Sequence, residues 1–217
     1  MIATPEAALR RQLVAVTALT VIVVLLGAAV LAVRLRPAPE SSTAVGAAIR
    51  RWERLVDANP ADEQARVGLG LALFRVGNKD EARRAFEAAL KINPKSWIAL
   101  YQLGLMVTSS DEDQAVRLFA EAAKEAPRGS RAGAFLALGD VLFRRSDFKG
   151  ARKAYEGAVS DLPFLADAHA GLARTLEALG DSVGALAEYK RAAKVNPVDE
   201  ELRRAIDRLR ADSQSAQ

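Results

Sequence analysis

Five prolines, Pro60, Pro94, Pro127, Pro163 and Pro197, are spaced 34, 33, 36 and 34 residues apart. A chain punctuated at that interval is restricted to stacked units, each a single supersecondary element repeated along one axis. Residues 61–94, ADEQARVGLGLALFRVGNKDEARRAFEAALKINP, display the unit. Two amphipathic segments flank Gly77-Asn78, and Asn-Pro closes them.

Positions inside the unit also recur. A small residue stands in the first segment at Gly70, Gly104, Gly139 and Ala173. Another opens the second segment at Ala82, Ala115, Ala151 and Ala185, followed by an aromatic at Phe86, Phe119, Tyr155 and Tyr189, then by Ala89, Ala122, Ala158 and Ala192. Residues at i, i+4 and i+7 share one helix face. Small residues there let two helix backbones approach, and the aromatic fills the space where neighbouring units meet.

With its leucine-small pairs (Leu69-Gly70, Leu103-Gly104, Leu138-Gly139, Leu172-Ala173), the pattern over 61–197 resembles the tetratricopeptide repeat (TPR). The early tryptophan of that family is replaced by Arg66, Leu100, Phe135 and His169. The second unit is a residue short near Ser109-Ser110-Asp111, and the third gains two in Arg128-Gly129-Ser130; loops absorb both. The resemblance implies an all-α, right-handed superhelix of about four repeats, with an N-terminal half-repeat and a C-terminal capping helix. The half-repeat carries Ala48, Trp52, Leu55 and Asn59-Pro60, and Trp52 is expected to cover the open end of the core. In the capping helix Leu202, Ala205, Ile206 and Leu209 form one apolar stripe, as a stack with an exposed terminal face requires.

Ahead of the repeats, residues 13–33 read LVAVTALTVIVVLLGAAVLAV, a run without a charge. At about 1.5 Å per residue it spans roughly 30 Å, the thickness of a bilayer's hydrocarbon core. The expected organisation is a tail (1–12), a single transmembrane helix in contact with lipid (13–33), a linker (34–42), a half-repeat helix (43–60), four repeats (61–197), a capping helix (198–212) and a tail (213–217). A cleaved signal peptide is the alternative, with Val30-Leu31-Ala32 as its cleavage site. Arg10 and Arg11 oppose Arg34 and Arg36 across the run, so the positive-inside rule is nearly balanced. The reading adopted is a single-pass cell-membrane protein with its N-terminus cytoplasmic and its repeats outside.

Charge and composition exclude several functions. Those four arginines against Glu6 account for most of the net charge of +4. The repeats are then close to neutral and offer no basic face for nucleic acid. The chain has no cysteine, which removes disulfides, thiolate chemistry, thiolate metal sites and cysteine-linked lipid anchors. His169, the one histidine, falls at a packing position without companions for a metal. The glycines occupy repeat positions, not a phosphate-binding loop. No catalytic residue, cofactor site or metal site is expected, and the chain is not expected to be an enzyme.

What remains is a surface. The family's groove positions carry over to Gln64, Val67, Leu71 and Phe74; to Ile98, Tyr101, Leu105 and Thr108; to Gly133, Leu136, Asp140 and Phe143; and to Asp167, Ala170, Arg174 and Glu177. Three units are largely apolar there and the fourth is charged, which suits an extended or helical protein segment. The competing possibility is that Val67, Leu71, Phe74 and Leu105 pack within the array. The clamp with which some family members hold a chaperone's terminal carboxylate is absent, since its slots contain Val67, Leu71, Gln102, Gly133 and Ala137. The expected function is a membrane-anchored scaffold that binds a protein partner in envelope assembly or folding. Two alternatives stand beside it: residues 51–90 resemble the TPR part of cytochrome c maturation proteins, which hold apocytochrome, and the array could instead assemble with copies of itself.

Overall fold

In the computed structural model the described residues are 40–215. They form ten α-helices and no strand: α1 (Glu40–Ala58), α2 (Glu63–Arg75), α3 (Lys79–Ile92), α4 (Trp97–Val107), α5 (Glu112–Glu125), α6 (Ala132–Arg144), α7 (Phe148–Asp161), α8 (Ala166–Ala178), α9 (Ser182–Val195) and α10 (Glu200–Ser215). The chain divides into two compact units, Met1–Ala44 and Val45–Gln217. Of the first, only the opening of α1 lies among the described residues. The expected transmembrane helix, residues 13–33, lies outside them. No helix among the described residues is long and apolar enough to cross a membrane.

The second unit is an all-helical array of stacked helix pairs, as the resemblance implied. Helices α2/α3, α4/α5, α6/α7 and α8/α9 pair as hairpins, and each hairpin packs on the next. Three of the four turns use a residue in the left-handed region: Gly77 and Gly180 at φ 82°, and Ser146 at φ 61°. The second hairpin has none, and it is the one that lost a residue. Asp62, Asp111, Asp147 and Asp181 each cap the following helix, accepting from the backbone N–H of Ala65, Gln114, Gly150 and Gly184.

The core follows the aromatic-on-small rule. Added Cβ atoms at Gly70 and Gly104 would lie 2.6 Å from the rings of Phe86 and Phe119. Tyr155 is gripped from two units, with such atoms 2.7 Å away at Gly139 and 2.4 Å away at Gly171. These rings are almost wholly buried, and each contributes about 1.5–3 kcal/mol by leaving water. Only a missing side chain admits them.

The third unit's longer loop is held by a single carboxylate. Asp161 Oδ1 accepts from Gly129 N at 2.7 Å, and Oδ2 accepts from Arg131 N and Ala132 N at 2.8 and 2.9 Å. Arg131, at the N-cap of α6, makes no side-chain cap; Asp161 supplies it from the neighbouring helix. Burial works against this charge. The donated hydrogen bonds and the charge of Arg131 outweigh it and hold the carboxyl below its ordinary value.

Both ends are closed by helices. The Trp52 ring of α1 lies on Gly68, where a Cβ would come within 2.6 Å. The helix begins at Glu40, so the last three residues of the 34–42 stretch are helical. An acid and two serines directly after Pro39 are a helix-start sequence. At the other end α10 buries Leu202, Ile206 and Leu209. It runs to Ser215, beyond the 198–212 boundary, because no glycine or proline follows Leu209 to stop it.

Candidate interaction groove

The first helix of each pair places its residues at i, i+3, i+7 and i+10 on one face. Along α2 these are Gln64, Val67, Leu71 and Phe74. Gln64 is exposed, Val67 is buried, and Leu71 and Phe74 are 38% and 36% exposed. Val67 belongs to the core, with Ile98 of α4 packed against the same cluster. For that residue the packing alternative holds. On α4, Leu105 is 41% exposed, while Tyr101 is half-buried with its ring 5.8 Å from Phe119.

On α6 and α8 the face becomes charged. Leu136, Asp140 and Phe143 are half-buried and Arg174 is exposed. The Arg174 guanidinium lies 5.9 Å from the Phe143 ring, and Phe143 meets Phe148 edge-on at 5.4 Å. Two hydroxyls from the second helices reach this face. Tyr155 donates to Asp140 at 2.7 Å; Tyr189 donates to Glu177 at 2.7 Å, and Arg208 of α10 donates to the other oxygen of Glu177 at 2.8 Å. Burial, reinforced by the carboxylate each one faces, pushes both tyrosine hydroxyls up from their ordinary value. Burial alone raises Tyr101. All three remain hydrogen-bond donors at neutral pH.

Two cavities gather most of the expected groove residues. One, of about 370 Å³, is lined by Leu136, Asp140 and Arg174 together with Asp167, Ala170 and Tyr189, and by Asp199 and Glu201 at the start of α10. The other, of about 410 Å³, brings together Gln64, Val67, Leu71 and Ile98 with Trp52 and Trp97. Phe74, Tyr101, Leu105 and Phe143 line neither. The first cavity thus carries four carboxylates against one guanidinium, and the second contains both tryptophans of the chain.

Asp199, Glu201, Trp97 and the two hydroxyls were not among the expected groove residues. One signal was available. The repeat aromatic changes from Phe86 and Phe119 to Tyr155 and Tyr189 where the first helices change from apolar to charged.

His169 packs, as its position implied, and has partners besides. It is buried; Nδ1 lies 2.7 Å from Glu188 Oε2, and Nε2 lies 2.9 Å from the Pro163 carbonyl oxygen. Glu188 also takes Arg191. No cluster able to hold a metal occurs among the described residues.

The tetratricopeptide repeat family model matches residues 45–96, 73–129, 107–164 and 136–200. No curated protein matches the chain. Among solved structures, the chain is similar to the crystal structure of MamA, with 21% identity, 73% of this chain and 92% of that one covered, and a TM-score of 0.62. It is similar to YrrB, described as a TPR protein with an unusual peptide-binding site, at 18% identity, coverages of 75% and 84%, and a TM-score of 0.66. It is similar to Pseudomonas aeruginosa pilF at 15% identity, coverages of 80% and 79%, and a TM-score of 0.69. These likenesses are of fold. With the family model spanning most of its length, the chain belongs to the tetratricopeptide repeat family.

Proposed function

We propose that this protein is a non-enzymatic scaffold that holds a segment of another protein along the face formed by α2, α4, α6 and α8. A bilayer anchor at residues 13–33 would place the scaffold at a membrane, where it would serve assembly or folding in the envelope. The observation that carries the reading is the row Leu71, Phe74 and Leu105. All three side chains are more than a third exposed on helices whose other apolar residues are packed. The same face turns acidic towards α10, so the segment it suits is apolar at one end and basic at the other. A scaffold that binds one extended segment needs the surface the repeats create, and no reactive group.

The test is crosslinking in membranes. Wild type is compared with a Leu71→Glu, Phe74→Glu, Leu105→Glu variant, whose substitutions lie at exposed positions and spare the core. Loss of the crosslinked partner in the variant is the expected result. The same partners in both proteins would remove the groove from the account. Release of the wild-type chain from membranes by alkaline carbonate would remove the anchor and leave the groove standing.

A further inference from the structure

The loop between α7 and α8 departs from its counterparts. Three other loops of the array open with Asn-Pro, at Asn59, Asn93 and Asn196, and Asn59 and Asn93 each accept from the backbone N–H two residues on, at 3.2 and 3.0 Å. The corresponding residues here are Leu162-Pro163-Phe164. Leucine cannot make that bond. The turn keeps its backbone bond from Leu165 N to the Leu162 carbonyl, and His169 Nε2, 2.9 Å from the Pro163 carbonyl oxygen, holds it from outside as Arg66 holds the Pro60 carbonyl in the first unit. The two residues flanking Pro163 are apolar and face water: Phe164 is 84% exposed and Leu162 42%. A single exposed apolar side chain needs no explanation. This one borders a cleft of about 520 Å³, whose walls also include Val159 of α7, Pro163, and Val195 of α9.

The rim of the cleft is cationic. Arg191 and Lys194 of α9 line it, and among the described residues none of those lining it carries a carboxylate. Glu188 lies beneath, where it holds both His169 and Arg191. The Arg191 side chain is still 62% exposed. The cleft shares no residue with the two groove cavities. On α8, His169 lies about 160° around the helix from Asp167, about 140° from Arg174 and about 100° from Ala170, since successive residues turn by about 100°.

We infer that this cleft is a second docking site, which takes an apolar–acidic segment of a partner protein: an aliphatic or aromatic side chain enters beside Phe164, and a neighbouring carboxylate meets Lys194 and Arg191. The arrangement places exposed apolar side chains beside charges that select by sign. Its sign is opposite to that of the acidic end of the groove, so the two sites do not compete for one ligand. A concave cleft of this size admits side chains.

The experiment uses the full chain in detergent and a labelled peptide of alternating leucine and glutamate around one phenylalanine, followed by fluorescence anisotropy. Affinity is expected to fall about tenfold, the scale of losing one anchor, in Phe164→Ala and again in Lys194→Glu. Both positions are exposed, so the fold is not at risk; circular dichroism checks it. Leu71→Glu in the groove should change nothing. The inference is overturned if the peptide does not bind or binds Phe164→Ala as it binds wild type. It is overturned equally if binding is lost in Leu71→Glu, or if phosphatidylserine vesicles bind instead with the same dependence on Phe164 and Lys194.

Discussion

The Tyr155 hydroxyl donates to Asp140 Oδ1 at 2.7 Å, so one ring serves both the core and the groove. Its body fills the space above Gly139 and Gly171, and its tip fixes a carboxylate on the recognition face. Phe86 and Phe119, at the same repeat position, do only the first. Replacing Tyr155 by Phe should therefore keep the packing and cost about 1–2 kcal/mol, because a half-buried carboxylate loses its donor. Alkaline denaturation adds a second readout. The hydroxyls of Tyr155 and Tyr189 are raised in the folded state. Above the ordinary tyrosine value of about 10, the unfolded chain releases protons that the folded chain retains, so stability falls as pH rises there. The slope of that fall should be shallower in Tyr155→Phe.

Asp161 replaces a cap that α6 cannot provide for itself. Asp161→Ala strands three backbone N–H groups and should cost about 1–2 kcal/mol, the scale of a lost N-cap. Its carboxyl is held below its ordinary value. The contribution is thus complete above the unfolded-state value of about 3.9 and is lost as pH falls through the lower folded value. Urea midpoints of wild type and Asp161→Asn should differ at neutral pH and converge in acid.

Ser146 occupies the left-handed turn position where Gly77 and Gly180 stand in the first and fourth units. A side chain at φ 61° is strained, and serine has no bond there that rewards it beyond the turn's own. Ser146→Gly should raise stability by up to about 1 kcal/mol, the backbone relief exceeding the entropy that glycine adds to the unfolded chain. A lower melting temperature for the variant would contradict this.

The repeats were legible because each packing rule recurs. Phe86 on Gly70 is one instance, repeated by Phe119 on Gly104 and Tyr155 on Gly139, and the period alone aligns them. The groove was legible only in part. Helical spacing put Leu71 and Leu105 on one face, but it also put Val67 there, and only tertiary contacts show that Val67 is consumed by the core. Asp199 and Glu201 line the acidic cavity from the start of α10. Its stripe Leu202, Ala205, Ile206 and Leu209 marks it as a closing helix, and its other face was therefore not carried into the groove, although Glu201 follows Pro197 by four residues as Gln64, Ile98 and Asp167 follow theirs. The pairing of His169 with Glu188 joins residues on two helices that their own periodicity explains fully, so nothing in the pattern singled it out.

Trp52 and Trp97 are the two tryptophans of the chain and line the same cavity with Leu71, which makes intrinsic fluorescence a reporter of that end of the groove alone. Both rings are half-buried and free to lose the rest of their hydration to a ligand. A peptide with leucines at one end and lysines at the other should shift the emission to shorter wavelength and reduce quenching by acrylamide. Leu71→Glu should abolish the change, since a charge at the cavity wall would have to be desolvated against apolar side chains. Neutralising the far cavity with Asp167→Asn and Glu201→Gln should act differently. The peptide's lysines would lose their partners, so more of it would be needed, and binding would become less sensitive to salt. The emission reached at saturation would not change, because the tryptophans would still meet the same leucines. If the neutralised variant instead saturates with altered emission at unchanged affinity, the two cavities do not hold one continuous segment.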